Sequence, residues 1–261
     1  MAKAAFITGG ASGIGQAVAK DLAARGWRIG LADINAAGLE TTKKMLPEGM
    51  ATTYVMDVRD RGQWTRALAE FAEASGGRLD FLFNNAGIAV GGELDSMSDE
   101  DVDRGLAINI NGMVYGAKAA HALLKATPGS AMILTSSAAG ISGNAGMSVY
   151  SAGKFAMRGF AESLNAEWGR EGIFVGSLMP SFIETPLLGA VIQDSNRSVR
   201  ESVLGAGLEI TPVAEVAKTV WSILEKRKDV HTRVGKTAHR LWFMARWMPG
   251  TLRKLARKQF K

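Results

Sequence analysis

The chain has 261 residues, 47% of them hydrophobic and 21% charged, with 31 glycines against 6 prolines. This is enough apolar material for a sizeable core, and it excludes disordered, collagen-like and coiled-coil chains. Cysteine is absent, which removes disulfides, a thiolate nucleophile and Cys-ligated zinc, and the three histidines (His121, His231, His239) are scattered and form no metal cluster. The start, Met1-Ala2-Lys3, runs directly into a short apolar stretch without the pattern of a signal peptide, so a cytoplasmic location is expected. The net charge of +6 is unevenly placed: no Asp or Glu follows Asp229, so residues 1–230 carry −3 and residues 231–261 carry +9. A surface built to follow nucleic acid would normally involve the folded body, so no nucleic-acid partner is expected.

Short apolar runs alternate with longer stretches of helical spacing. The runs predict strands at Ala4–Thr8, Arg28–Asp33, Thr52–Asp57, Phe81–Asn84, Ala131–Thr135, Phe174–Met179 and His231–Gly235. Between them the spacing predicts helices at Ile14–Arg25, Ala36–Met45, Gln63–Ala74, Asp99–Lys125, Ser148–Arg170 and Val213–Lys226. Helix starts are read at Asn35, at Ser98 with Asp101 three residues on, and at Thr211 with Pro212 as first helical residue. No repeat or linker interrupts the pattern. Right-handed βαβ units of this kind predict an α/β fold, a single-domain Rossmann-type doubly wound parallel sheet with helices on both faces.

The first predicted strand ends in Thr8-Gly9-Gly10-Ala11-Ser12-Gly13-Ile14-Gly15 and opens a helix, where backbone N–H groups and the helix dipole favour a pyrophosphate. Gly9 permits the tight turn, Gly13 lets the backbone approach the phosphates, and Gly15 lets the helix pack on the strand, with Ser12 and Ile14 completing the loop. A glycine turn alone is weak evidence, because plain strand-to-helix connections also use it. Asp33 strengthens it by ending the next strand 18 residues after Gly15, near the ~20-residue offset at which a carboxylate accepts ribose hydroxyls. It would repel a 2′-phosphate, and no Arg or Lys occurs in residues 8–15 or 32–37, so the cofactor expected is NAD rather than NADP. The bland alternative for Asp33 is a solvated helix N-cap.

Further motifs follow in order: Asp57-Val58, Asn84-Asn85-Ala86-Gly87, Asn109-Ile110-Asn111-Gly112, Ser136-Ser137, Tyr150-Ser151-Ala152-Gly153-Lys154, and Pro180 with Thr185. Together with the glycine loop they make the chain resemble the classical short-chain dehydrogenase/reductase family from about Ala4 to Thr185, with family-like elements continuing to about residue 235. The resemblance implies that Asp57 and Val58 hold the adenine and that Asn85, Ala86 and Gly87 line the adenosine side. It further implies that Pro180, Ile183 and Thr185 border the nicotinamide, that Ser137 binds the substrate oxygen, and that Asn109 keeps a water in a proton relay. Asn111 has the same chemistry and stays open as an alternative to Asn109. Family members are commonly tetramers or dimers, so a homo-oligomer is expected. Two residues depart from the family pattern, Ser181 for the usual glycine after the proline and Gly153 for the more frequent serine before the lysine.

Tyr150 and Lys154 also carry an argument of their own. They are four apart on a predicted helix, hence on one face, and an ammonium near a phenol favours the phenolate. A free tyrosine titrates near ~10, so a neighbouring cation is the expected way to make it a proton-transfer group near neutrality. By resemblance Lys154 also hydrogen-bonds the nicotinamide ribose. Singly, such residues are often solvated or structural; together, Asn109, Ser137, Tyr150 and Lys154 predict a catalytic tetrad.

Residues 1–236 are therefore expected to form the catalytic domain, with a substrate lid at about 186–210. Leu187, Leu188, Val191, Ile192, Val203, Leu204 and Leu208 mix there with Gln193, Asp194, Asn196, Arg197 and Arg200. With Ile141, Met147 and Phe182 they point to an apolar pocket without an anion clamp, suited to a lipophilic or aromatic secondary alcohol or ketone, hydroxysteroid-like and terpenoid substrates included. Residues 237–261 form a basic, aromatic extension. Pro249-Gly250 breaks it and Thr251 caps a last helix with Leu252, Leu255, Ala256 and Phe260 on one face. Packing of Trp242, Phe243 and Trp247 on a neighbouring subunit or over the substrate site is the favoured expectation there, and peripheral contact with an anionic membrane is the alternative. The function expected is hydride transfer between NAD(H) and an alcohol or ketone. An epimerase or dehydratase on the same fold, or a silent NAD-binding scaffold with a membrane-binding tail, are the alternatives; the motif pattern argues against the first and the full tetrad against the second.

Overall fold

Strands made of unbroken apolar runs need cover on both faces. The computed structural model describes residues 2–189 and 198–258 and meets that need with one seven-stranded sheet. Its strands are β1 (Ala4–Thr8), β2 (Arg28–Asp33), β3 (Ala51–Val55), β4 (Phe81–Asn84), β5 (Ala131–Thr135), β6 (Phe174–Pro180) and β7 (His231–Val234). They lie in the order β3-β2-β1-β4-β5-β6-β7 with every neighbouring pair parallel. Successive side chains point to opposite faces, so Ile7 and Phe6 belong to different cores. On one face α1 (Gly13–Ala24), α2 (Ala36–Lys44) and α8 (Val213–Lys226) bring Val18, Leu22, Leu39 and Val220 onto Ile7, Leu31 and Ile133. On the other, α3 (Arg61–Ser75), α5 (Met113–Ala126) and α6 (Ser148–Trp168) bring Trp64, Phe71, Leu124 and Met157 onto Phe6, Leu82 and Val175. The winding reverses between β1 and β4, which opens a crevice at the carboxyl ends of the central strands.

Four local expectations are corrected. Strand β3 stops at Val55 rather than Asp57, because its partner β2 ends at Asp33 and the Asp57 N–H turns to Gln63 Oε1 at 2.7 Å. The helix expected at Asp99–Lys125 is divided: α4 (Asp99–Leu106) passes through a π-helical turn, Ala107–Gly112, before α5. Pro212 is the residue before α8, not its first turn, since Thr211 is extended and spends its N–H on Phe182 and its C=O on Glu184. Thr251 does not start the last helix. After α9 (Lys236–Trp247), Met248 breaks the helical geometry and α10 (Pro249–Lys258) opens at the proline, whose missing N–H costs nothing there. The caps at Asn35 and Ser98 form as expected, accepting from the Gly38 and Asp101 N–H groups.

In the expected lid, a 3₁₀ turn at Pro186–Gly189 and α7 (Val199–Gly205) are described, whereas Val191, Ile192, Gln193, Asp194, Asn196 and Arg197 lie outside the described residues, as does Phe260. Helix α9 docks on its own chain through Ala238, Leu241 and Trp242 against Ile141 and Met179. The Trp242 ring lies between the guanidinium groups of Arg158 and Arg233, at 4.9 and 5.0 Å.

Gly116 on α5 lies so close to the fully buried Trp64 that a Cβ would sit 2.5 Å from two of its ring carbons. Gly116→Ala is expected to cost about 1–3 kcal/mol through overpacking, read as a lower urea midpoint. An unchanged midpoint would contradict this packing.

Candidate active site

The crevice is a cleft of 880 Å³ lined from the glycine loop to Val199. It is built on a hydrogen-bonded tie across the strand ends. Thr8 Oγ1, at the end of β1, accepts from the N–H groups of Asn85 (2.9 Å) and Ala86 (3.0 Å), and Asn85 Nδ2 donates back to the Thr8 carbonyl at 3.0 Å. Thr135 Oγ1, at the end of β5, donates to Asn85 Oδ1 at 3.0 Å. One asparagine thus joins three strands, and the close approach demands glycine: a Cβ on Gly9 (φ +68) would lie 2.7 Å from Asn85 Nδ2, and one on Gly15 would lie 2.2 Å from the Gly9 carbonyl oxygen. Gly13 (φ +53) faces Thr185, and Ser12 makes no side-chain cap, leaving the first turn of α1 open toward the cleft.

Asp33 is half-buried on the cleft wall, accepting from the N–H groups of Ala11 (3.2 Å) and Asn35 (3.0 Å). The N-cap of α2 is Asn35, so the N-cap reading of Asp33 is set aside. Further along, Arg59 clamps the Asp57 carboxylate through Nε and Nη2, the shortest contact being 2.6 Å, and this hydrogen bond holds Asp57 below the usual carboxylate range. Arg59 was not foreseen: it reaches the wall from outside the segments scanned for cations, but its charge is matched by Asp57.

At the other end Lys154 is 3% exposed, and its Nζ donates to the Thr135 carbonyl at 2.9 Å. Burial pushes the ammonium down from 10.5 to about 8. Its helix is pinned by the buried Ser136, whose hydroxyl donates to the Lys154 carbonyl at 2.7 Å. Tyr150 shares a hydrogen bond with Ser137, and its ring centroid is 5.4 Å from Lys154 Nζ. The expected lowering of the phenol is not what the structure shows: burial raises Tyr150 above 10, the Ser137 hydrogen bond opposes this only in part, and the ammonium faces the ring. Tyr150 therefore keeps its proton at neutral pH. Ser137 Oγ also accepts from the Ala139 N–H at 3.1 Å.

Gly9, Ser12, Gly13, Ile14, Asp33, Asp57, Val58, Asn85, Ala86, Gly87, Ser137, Tyr150, Lys154, Pro180, Ile183 and Thr185 all line the cleft. Asn109 does not. It is 1% exposed in the π turn, one layer behind the wall, with Oδ1 accepting from the Ile88 N–H (3.0 Å) and Nδ2 donating to the Ile88 carbonyl (2.9 Å). Asn111, by contrast, is exposed. Gly153 brings α6 against this turn, since its Cβ would lie 3.2 Å from the Asn109 Cβ. The Ser181 hydroxyl, buried without a hydrogen-bond partner among the described residues, fills the space that a Cβ on Gly235 would need.

Beyond Tyr150 the walls are largely apolar, with Ile88, Met147, Phe182, Leu187 and Leu188, and Asn144 as an exposed polar member that sequence reasoning missed. Ile141 is not on the wall; it is buried beneath, against Met179 and α9. Among the described residues no group of acidic or histidine side chains is arranged to hold a metal ion.

Asn109→Ala strands the Ile88 N–H and C=O, so a loss of about 2 kcal/mol or more is expected in chemical unfolding, whereas Asn111→Ala stays within about 0.5 kcal/mol. Equal effects would remove Asn109 from its bracing position.

The family model for short chain dehydrogenase matches residues 3–196. Oxidoreductase UcpA of Escherichia coli (strain K12) is 32% identical over 217 residues, covering 82% of each chain. The crystal structure of levodione reductase superposes with a TM-score of 0.82 at 27% identity, over 89% of this chain and 96% of that one. A short chain dehydrogenase from Mycobacterium paratuberculosis, solved bound to NAD, superposes with a TM-score of 0.80 at 27% identity, over 91% and 98%. The match over three quarters of the chain, on the sheet and glycine loop described above, places this protein in the short-chain dehydrogenase/reductase family of oxidoreductases.

Proposed function

We propose that the protein moves a hydride between NAD(H) and a secondary alcohol or ketone of apolar character. The observation that carries this reading is the placement of Ser137, Tyr150 and Lys154 together in a cleft whose far end is walled by glycines and Asp33. The cleft fits the cofactor. Side chains at Gly9 or Gly13 would collide with their neighbours or meet an unfavourable backbone, the Asp33 carboxylate has lone pairs left for ribose hydroxyls, and Arg59 on the same cleft wall is spent on Asp57 rather than open to a 2′-phosphate. The ammonium of Lys154 has one acceptor among the described residues, Thr135, which leaves donors for the hydroxyls of the second ribose. The NAD-bound relative and levodione reductase among the neighbours support the two halves of the reading.

Bound NAD(H) supplies the hydride or accepts it. Ser137 turns its hydroxyl hydrogen from Tyr150 to the substrate oxygen and holds the carbonyl in place. Tyr150 holds a proton at Oη and delivers it to that oxygen during ketone reduction; in alcohol oxidation the proton returns by the same route. Lys154 is charged below about pH 8 and lowers the cost of the phenolate formed when the proton leaves. Asn109 holds Ile88, and with it the wall beside Gly87, in position. The apolar walls near Met147 and Phe182 exclude water and favour a lipophilic substrate. Residues 1–236 act as the catalytic unit in this reading, and assembly as a homo-tetramer or dimer follows from the resemblance alone.

A panel of secondary alcohols and ketones assayed with NAD(H) and NADP(H) tests the reading. Tyr150→Phe is expected to lower kcat by about 10²–10⁴-fold, and unchanged turnover would sink the mechanism. Asp33→Asn is expected to shift cofactor preference toward NADP(H) by about an order of magnitude, and a wild-type preference for NADP(H) would refute the role given to Asp33.

A further inference from the structure

The cleft makes no use of the positive charge gathered after residue 230. Helix α9 spends one face on its own chain, through Ala238, Leu241 and Trp242. Large apolar side chains elsewhere on α9, on the adjoining α10 and between them are uncovered: Phe243 is 56% exposed, Trp247 69%, Met248 44% and Leu255 39%. Around these apolar side chains stand Arg240, Arg246, Arg253, Lys254 and Arg257, all exposed, and no ion pair among the described residues engages any of them. Arg246 lies over the Trp247 ring at 5.8 Å. Trp242 packs on its own body and does not line the cleft, whereas Phe243 and Trp247 are exposed.

We propose that α9 and α10 form a docking surface for an anionic lipid bilayer. An indole and a phenyl ring set among cations match the boundary between lipid headgroups and acyl chains, where aromatic rings settle and phosphates meet arginine and lysine. Charge argues against a second copy of this chain as the occupant. A symmetric pairing would set this wholly cationic face against itself, with no carboxylate after Asp229 to relieve it. Charge also orients the contact, because the body of the chain carries −3 and is turned away from an anionic surface. The contact is peripheral, as no helix among the described residues is long and apolar enough to cross a membrane.

The docked face stands close to the cleft. The buried side of α9 packs on Ile141 and Ala138, and Ala138 lines the cleft wall, so one helix separates the bilayer from the substrate end. That arrangement suits a lipophilic substrate arriving from the membrane. The docking surface itself stands whether or not the reductase reading does.

Co-sedimentation of the full chain with vesicles tests the proposal, using phosphatidylcholine alone and phosphatidylcholine with one third phosphatidylglycerol. Wild type is expected to sediment with the anionic vesicles and not the neutral ones, and to be released by salt. The double variant Phe243→Ser/Trp247→Ser and the triple variant Arg253→Glu/Lys254→Glu/Arg257→Glu are each expected to weaken binding at least tenfold while leaving the unfolding midpoint, the mass in solution and turnover of a soluble substrate unchanged. Tyr150→Phe keeps vesicle binding intact, so failure of the catalytic reading is seen separately. Equal binding to both vesicles, or none, overturns the proposal. So does a fall in solution mass in the Phe243→Ser/Trp247→Ser variant, which would identify a second copy of the chain as the occupant.

Discussion

The ammonium of Lys154 is buried at the carboxyl edge of the sheet with the Thr135 carbonyl as its hydrogen-bond acceptor, and the surrounding structure is arranged to hold it there. Burying a charge is costly unless it is paired or completed by a ligand. Here the helix that carries it is locked in place from behind, by Ser136 on the Lys154 carbonyl and by glycines at 140 and 153 that let α6 approach β5 and the π turn. A Cβ on Gly140 would lie 2.4 Å from Ser136 Oγ, so the lock has no room for a larger residue. The penalty appears in the depressed titration of Lys154 and the raised titration of Tyr150.

The same edge carries a second constraint, the tie of Thr8, Asn85 and Thr135 across β1, β4 and β5. It fixes where the glycine loop, the Asn85–Gly87 loop and the Ser137 turn stand relative to one another, so that residues distant in sequence share one wall. The reversal of winding makes the crevice, and the threonine and asparagine side chains give it a defined width. Rigid strand ends and short loops therefore do the positioning, and the segment after Pro186 completes the wall at the substrate end.

The sheet was legible in the sequence because each strand is a short apolar run that must be buried on both faces; six of the seven start and stop within one residue of their predicted ends, and β3 differs because the β2 strand it pairs with ends at Asp33, opposite Val55. The cofactor loop was legible because glycine is demanded by backbone clashes that act locally. The π turn was not, since Ala107–Gly112 has an ordinary helical spacing and its widening depends on the close packing of Gly153 and Val58 against it. That turn also buries Asn109 and leaves Asn111 exposed, which no spacing rule could show. Arg59 and Ile141 were misjudged for a related reason: nearness in sequence to a motif does not say which side of the wall a side chain occupies. The direction of the Tyr150 shift was missed because adjacency on a helix predicts charge proximity but not burial.

The central claim is that Lys154 is a buried ammonium whose titration that burial depresses. Its Nζ titration in the ligand-free protein, followed by heteronuclear NMR with Lys154→Met to assign the resonance, tests this most directly. The account predicts a midpoint near 8, well below the ordinary 10.5. A midpoint at the ordinary value would mean that the ammonium is solvated, and would contradict the arrangement on which the rest of the site depends.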